Sequence, residues 1–415
     1  MKFHIRTLGC KMNQLDSARL QAALMGAGHQ QVENEEEAEY SFVNSCTVTA
    51  QADRKSRKAA NAATRSSQLV AVLGCSVRID AGKWRQALPN ALVFDSDEKL
   101  LDYFGATDNH ALLPVTSRTR MQVAIQTGCD DTCSFCITTL ARGDHRSLPT
   151  SQIIEQVQEA QRHGVNEIVL TGINLAAWGS PNSKSQPQAA RLHELLASLL
   201  SETSIPRIRL SSIGPQYLQP EFWEVYNDPR ICDYLHLSMQ SGSDPVLKAM
   251  DRGHGTLELI NIAEQARQVR PETALAADLI AGFPGETESN HQQTVALIQT
   301  LQLSKLHVFP YSPRLGTLAA ELEQLPTDIR KRRATEIRER GQRLRNDFLS
   351  SQMSRTLTVL AEENGRGWSS NYIRLHTDDL TEGSIGDIKL SASTLAESLP
   401  GSDEDPATMA TKVQL

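Results

Sequence analysis

The sequence predicts an α/β protein in three parts: an N-terminal open parallel α/β sheet over 1–105, a central partial (β/α) barrel over 115–350, and a small C-terminal β-barrel over 352–396. Three observations carry this reading. Short apolar strand-like runs alternate with helical stretches through most of the chain, the pattern of parallel strands joined by helices. The alternation pauses once, in a looser connector over about 96–120. Beyond a strongly basic helical stretch it gives way to short strands joined by Gly-containing turns. At 415 residues the chain is too long for one ordinary core, so a division is expected.

In the first part, KFHIRTLG reads as a strand and 16–27 as a helix with Leu20, Leu24 and Met25 on one face. YSFVNS is a second strand, followed by a basic helix near 51–65. LVAVLG is a third, continuously apolar as buried parallel strands are. In the second part the strand-like segments are MQVAIQT, EIVLTGI, RIRLSSI, YLHLSMQ, LAADLIAGF and KLHVFPYS. Amphipathic helices lie between several of them, at 153–163, 191–200 and 290–301. Such alternation suits a parallel barrel or partial barrel. The basic helix, 328–348, carries Arg330, Lys331, Arg332, Arg333, Arg338, Arg340, Arg343 and Arg345. RTLTVLAEE, NYIRLHT and GDIKLSA then supply the small β-barrel, and the polar, acidic tail 397–415 is expected to be disordered.

The start, MKFHIRTLGC, alternates like a strand and has no apolar run behind a basic patch, and no stretch approaches the ~18 apolar residues of a membrane span. A soluble, cytoplasmic protein is expected, with no membrane partner. Seven cysteines in such a chain argue for metal or redox chemistry rather than a disulfide framework. The net charge of −7 argues against coating nucleic acid through overall charge, but leaves local basic patches open.

The cysteines fall at telling places. Cys10, Cys46 and Cys75 follow the first, second and third strands. In an open parallel sheet the C-terminal ends of the strands lie along one edge, where ligands bind, so these thiols are expected to meet in space. Cys129, Cys133 and Cys136 share a loop after the first barrel strand, opening with Gly128. Three thiolates so close can hold three irons of a [4Fe–4S] cluster, leaving the fourth iron open to a substrate or cofactor. The competing readings are a zinc knuckle, for which His145 is the local fourth candidate, or buried thiols. Cys232, at the start of a strand, reads as a buried thiol.

The pattern C-x-x-x-C-x-aromatic-C, with Phe135 in the aromatic slot, resembles the radical S-adenosylmethionine (SAM) signature. TLGCKMNQ around Cys10, NSCTV around Cys46 and Gly74-Cys75 resemble the N-terminal domain of the methylthiotransferases. TGIN at 171–174, HLSMQSGS at 236–243, DLIAGFPGET at 278–287 and FPYSPR at 309–314 also look like family motifs, in the family's order. The resemblance implies a radical SAM core with two [4Fe–4S] clusters, one on Cys129, Cys133 and Cys136 and one on Cys10, Cys46 and Cys75. It implies that one SAM yields a radical that removes hydrogen, that a second methylates sulfur, and that the N-terminal cluster delivers sulfur to carbon. The C-terminal strands would be a TRAM-like RNA-binding domain. An external electron donor and a sulfur source are implied as partners.

Phe135, Thr171, Gly172, Asn174, Ser212 and Gln240, at strand ends or on the cluster loop, are the candidate SAM contacts, with Gly172 and Gly282 expected to let backbone approach a ligand. The family's substrates are an adenosine beside the tRNA anticodon or an aspartate in a ribosomal protein. The basic helix, with Arg54, Lys55, Arg57, Lys58 and Arg65, offers phosphate contacts and favours tRNA, bound at its anticodon loop. TLGCK and FPYS look closer to the branch acting on N6-threonylcarbamoyladenosine than to the isopentenyladenosine branch. A non-enzymatic iron–sulfur RNA-binding module is the alternative of another class. The chain departs from the family at Thr139-Leu140, where a Pro-Tyr pair is usual, and at His254, where an aromatic residue is common.

Overall fold

The computed structural model describes residues 1–107, 119–182 and 184–396, so the acidic tail and much of the connector lie outside the described residues. The described residues form two compact units, one of 1–107 with 136–144 and one of 119–135 with 145–396.

In the first unit, β1 (Lys2–Thr7), β2 (Gln30–Gln31), β3 (Tyr40–Ser45), β4 (Leu69–Gly74) and β5 (Leu92–Val93) form a parallel sheet in the order β2-β1-β3-β4-β5. Helices α1 (Lys11–Gly26), α2 (Ala50–Ser66), α3 (Cys75–Ile79), α4 (Ala81–Ala87), α5 (Asp97–Tyr103) and α6 (Thr138–Arg142) complete it. Strand β4, LVAVLG, is apolar throughout because both faces of the sheet are covered. Phe42, Ala71 and Leu73 pack on one side with Phe3, Leu24 and Leu100, whereas Val43, Val70 and Val72 pack on the other with Ala60 and Trp84. Two expectations change here. Helix α1 begins five residues earlier than read, and Met25 is 51% exposed while Leu20 and Leu24 are buried. Residues four apart share a helix face, but Met25 sits a further ~100° round. The connector also contains α5, capped by Ser96 Oγ accepting from the Lys99 amide.

In the second unit, β6 (Arg120–Ala124), β9 (Glu167–Thr171) and β10 (Arg207–Leu210) are parallel in the order β10-β9-β6. A parallel sheet of β11 (Ser212–Ile213), β12 (Tyr234–Gln240), β13 (Ala274–Ala281) and β14 (Lys305–Pro310) continues from it, since β10 and β11 are halves of RIRLSSI broken at Ser211. MQVAIQT breaks likewise: β7 (Gln126–Thr127) leaves β6 to pair antiparallel with β8 (Arg146–Ser147). Helices α7 (Thr150–Arg162), α8 (Leu192–Glu202), α9 (Glu221–Tyr226), α10 (Asp244–Ala249), α11 (Thr256–Val269), α12 (Glu288–Thr300) and α13 (Thr327–Gln352) alternate with the strands or follow them. The result is an open partial barrel.

The C-terminal strands β15 (Thr356–Glu362), β16 (Arg366–Ser369), β17 (Arg374–His376) and β18 (Ile385–Lys389) form an antiparallel sheet in the order β17-β16-β15-β18, with β16 beyond the three strands expected. Arg209 joins this sheet to the barrel. It donates to Glu167 Oε1 at 2.8 Å and to the Ser369 and Ser370 carbonyls, each at 3.0 Å. Arg207 reaches Glu167 at 2.8 Å and the Trp368 carbonyl at 3.1 Å. Burial would raise the Glu167 pKa, but Arg209, Arg207 and Arg120 bring it down to about 2. Among the described residues no helix is long and apolar enough to cross a membrane.

Candidate cluster-binding sites

The N-terminal trio is gathered as the strand order required. Cys10 caps the start of α1 after β1, Cys46 follows β3, and Cys75 opens α3 after β4. Asn13 on α1 ties the group together. Its Nδ2 donates to the Leu8 carbonyl at 2.7 Å and the Ser45 carbonyl at 3.0 Å, which fixes the amide orientation. Its Oδ1 accepts from the thiols of Cys10 at 3.8 Å and Cys75 at 3.7 Å. Backbone crowds the site. Gly9 has φ +107°, and a Cβ there would stand 2.8 Å from Cys46 Sγ. Gly74 has φ +92°, and a Cβ there would stand 2.6 Å from the Ser45 carbonyl oxygen. Only glycine fits either position. Burial pushes the Cys46 thiol up to about 12, with the neighbouring Cys10 and Cys75 adding to it, and burial raises Cys75 as well. Three free sulfurs at neighbouring strand ends are a donor set suited to a cation that takes thiolates.

The loop cysteines differ in surroundings. Each sulfur faces an N–H group: Arg252 Nη1 at 3.1 Å from Cys133, Asn174 Nδ2 at 3.7 Å from Cys129, and the Thr138 amide at 3.4 Å from Cys136. Such donors favour ionised sulfur and tune a bound cluster. Arg252 is held by a second bond to the Ser238 carbonyl at 3.1 Å. The loop is anchored by Ser134, whose amide donates to the Met250 carbonyl, and by Phe135, packed against Val246, Met250, Phe283 and Tyr311. Asp131 is fixed by the Tyr217 hydroxyl and by Gln216 Nε2 at 3.4 Å. The zinc reading loses its fourth ligand, because His145 Nδ1 lies 2.9 Å from Gln126 Nε2 and Nε2 lies 3.1 Å from Ser147 Oγ.

The remaining candidates divide. Asn174 stands beside Cys129 and 3.3 Å from Asp131 Oδ2. Gln240, at the end of β12, has φ +67° beside a register shift in the strand pairing, a strained position for a residue with a side chain. Ser212 is half-buried on β11, opposite His236. Thr171 is buried, and its hydroxyl donates to the Val169 carbonyl of its own strand at 3.1 Å. At Gly172 the space for a side chain is filled by Gln126, whose Oε1 would stand 2.9 Å from a Cβ. At Gly282 it is filled by Arg330, whose Cα would stand 2.9 Å away. At both glycines the side-chain position is thus taken by a neighbouring protein group. His254 is buried between Gln216 and the Met239 carbonyl, and burial, with Arg252 beside it, lowers its pKa to about 4. Cys232 is a buried thiol, as read.

Two features escaped the sequence reading. His236, Asp278 and His307 form a polar triad across β12, β13 and β14, with Asp278 Oδ1 2.9 Å from His236 Nε2 and 3.2 Å from His307 Nδ1. Arg142, buried six residues after Cys136, donates to Asn13 Oδ1 at 2.6 Å and to Asp16 Oδ2 at 2.8 Å. The basic helix is also less available than its composition suggested. Arg333 is buried against Glu286, Arg332 pairs with Glu288, and Arg330, Arg338 and Arg345 donate to backbone carbonyls. Lys331 and Arg343 stay exposed there, as do Arg54, Lys58 and Arg65 on α2.

A parallel partial barrel with a three-cysteine loop after its first strand defines the class, and the comparisons agree. The model of the Radical SAM superfamily matches residues 123–298, and that of Uncharacterized protein family UPF0004 matches 2–95. Among solved structures the chain is similar to the radical SAM methyltransferase TsrM from Kitasatospora setae (12% identity, 75% of this chain and 76% of that one, TM-score 0.54). Among curated proteins it is 32% identical to the threonylcarbamoyladenosine tRNA methylthiotransferase MtaB of Rickettsia prowazekii, over 91% of this chain and 92% of the relative. The protein of the same name from Thermotoga maritima is 31% identical over 86% of each chain. The tRNA-2-methylthio-N(6)-dimethylallyladenosine synthase of Agrobacterium fabrum is 31% identical over 88% of each. The chain belongs to the radical SAM methylthiotransferase family, and with it comes a requirement for SAM and a [4Fe–4S] cluster.

Proposed function

We propose that this enzyme transfers a methylthio group to C2 of N6-threonylcarbamoyladenosine at position 37 of tRNA, in the cytoplasm, using two SAM molecules and two [4Fe–4S] clusters. The observation that carries the two-cluster reading is the gathering of Cys10, Cys46 and Cys75 at neighbouring strand ends, with Asn13 accepting from Cys10 and Cys75 and Gly9 keeping the space beside Cys46 Sγ free of a side chain. A single-cluster radical enzyme has no use for that second trio. The name shared by the Rickettsia and Thermotoga relatives supports the threonylcarbamoyl substrate.

When bound, the clusters and SAM supply the carbon-centred radical chemistry, the sulfur and the methyl group. The chain's residues hold and shield them. Cys129, Cys133 and Cys136 would ligate one cluster, their sulfurs stabilised by the Asn174, Arg252 and Thr138 N–H groups. Phe135 seats the loop in an apolar pocket and so keeps water from that side. Asn174 and Gln240 are the proposed polar contacts to SAM. Cys10, Cys46 and Cys75 would ligate the second cluster, where burial favours metal-bound over solvent-exposed sulfur. Exposed Arg54, Lys58 and Arg65 on α2, and Lys331 and Arg343 on α13, are the proposed contacts to tRNA phosphates, with an electron donor and a sulfur source as further partners.

The test is nucleoside mass spectrometry of total tRNA from cells lacking the protein. Loss of the 2-methylthio derivative of threonylcarbamoyladenosine, with its precursor accumulating, supports the proposal. Loss of the isopentenyl derivative instead transfers the assignment to the branch that the Agrobacterium relative's name describes. An unchanged profile sends the search to ribosomal protein.

A further inference from the structure

Arg142 lies on the short helix that follows the loop cysteines in sequence, yet its side chain is spent in the N-terminal unit. Helix α6 packs on α3, which Cys75 opens. The guanidinium is buried and makes two bonds through Nη2, to Asp16 Oδ2 at 2.8 Å and to Asn13 Oδ1 at 2.6 Å. Asn13 cannot turn away, because both its N–H bonds are taken by backbone carbonyls. Its oxygen is thus shared by Cys10, Cys75 and Arg142.

This sharing changes when the trio takes metal. Thiols donate to the asparagine oxygen, but thiolates do not. Ligation therefore removes two of the three donors on Asn13 Oδ1 and leaves the Arg142 bond. A buried carbonyl-type oxygen facing sulfur anions is costly unless a donor holds it. A buried cation held one side chain away from two of the sulfurs also favours the more negative state of whatever they bind. Asp16, 2.8 Å from the guanidinium, offsets part of that charge.

We infer that Arg142, acting through Asn13, is a positioning residue that raises the reduction potential of the cluster on Cys10, Cys46 and Cys75, with Asp16 setting how strongly. The inference rests on the proposed second cluster. The one-electron step adds an electron from the titrant to the cluster and breaks no bond. Removing the cation should lower the potential, removing the anion should raise it, and retaining the charge should hold it.

The experiment uses the full chain carrying Cys129→Ala, Cys133→Ala and Cys136→Ala, reconstituted anaerobically with iron and sulfide and titrated with dithionite while the reduced-cluster EPR signal is followed. In this background Arg142→Gln should lower the reduction equilibrium constant about tenfold, about 59 mV for a one-electron couple. Asp16→Asn should move it the opposite way, and Arg142→Lys should stay within a few-fold of the parent. A merely structural role cannot produce opposite shifts from two halves of one ion pair. If the parent binds no iron–sulfur cluster, the two-cluster reading falls and takes this inference with it. If the parent binds one and Arg142→Gln and Asp16→Asn titrate with it, the inference alone is overturned. If Arg142→Gln does not fold, Asp16→Asn decides by the sign of its shift.

Discussion

The two cysteine trios are gathered by opposite routes. The loop trio is local: eight consecutive residues carry it, its cysteines are half-exposed, and each sulfur meets an N–H group. The N-terminal trio is assembled from three strand ends up to 65 residues apart, with Cys46 and Cys75 buried, and its polar neighbour is an asparagine oxygen backed by Arg142. A local site depends on its donors. An assembled site depends on the fold, and fails with it.

The largest expected effect separates the trios by product. Cys133→Ala should abolish release of 5′-deoxyadenosine from SAM under anaerobic reduction. Cys46→Ala should leave that release measurable while methylthiolation of tRNA is lost. Full methylthiolation by Cys46→Ala would break the comparison.

Next come the glycines. Gly74→Ala places a methyl 2.6 Å from the Ser45 carbonyl oxygen at a left-handed φ, and should cost about 3 kcal/mol from strain and overpacking together. Hydrogen exchange of the β1, β3 and β4 amides should report the loss, with β12 and β13 unmoved. No comparable cost is expected at Gly143, where a Cβ meets nothing within 4 Å, beyond its own positive φ.

A donor variant sharpens the contrast. Arg252→Leu removes the N–H on Cys133 and should reduce iron retained by the loop trio several-fold, leaving iron on the N-terminal trio unchanged. The iron content of each trio, read with the other replaced by alanine, checks it. His254 adds a pH dependence to the same region. Its folded pKa, lowered to about 4 by burial and by Arg252, lies below the ordinary histidine value. The unfolded chain therefore binds the extra proton first, so this contribution to stability is complete above about pH 6.5 and is lost as pH falls towards 4. His254→Phe should flatten the denaturation midpoint across that window.

The smallest effect is kinetic. In iron-free protein, Cys46, with its thiol pushed up to about 12, should react with iodoacetamide more slowly than the half-exposed loop cysteines, as peptide mapping would show.

The same contrast explains what could be read in advance. The loop trio was visible because its spacing is a single local pattern. The N-terminal trio was visible one step later, since strand order predicts which ends share an edge, and β1, β3 and β4 are the central strands of the sheet. Arg142 was not visible, because its partners lie 126 and 129 residues away and an Ala-Arg-Gly sequence says nothing of them. Gly172 and Gly282 show a related limit of sequence: a missing side chain signals close approach without saying by what, and Gln126 and Arg330 are the protein groups that take the side-chain positions. The basic helix shows composition overruled by packing, since Glu286, Glu288 and the carbonyls of Tyr311 and Val308 absorb cations that looked available.

The bonds of Arg209 give the chain a temporal order. Arg209 leaves the ribosome about 160 residues before the Ser369 and Ser370 carbonyls that complete its network with Glu167. Until then a guanidinium destined for full burial has a carboxylate partner and no cap. The barrel is therefore finished from its far end, and a chain stopped before β16 would carry an unfinished seam at β9 and β10, with a buried guanidinium short of two of its acceptors.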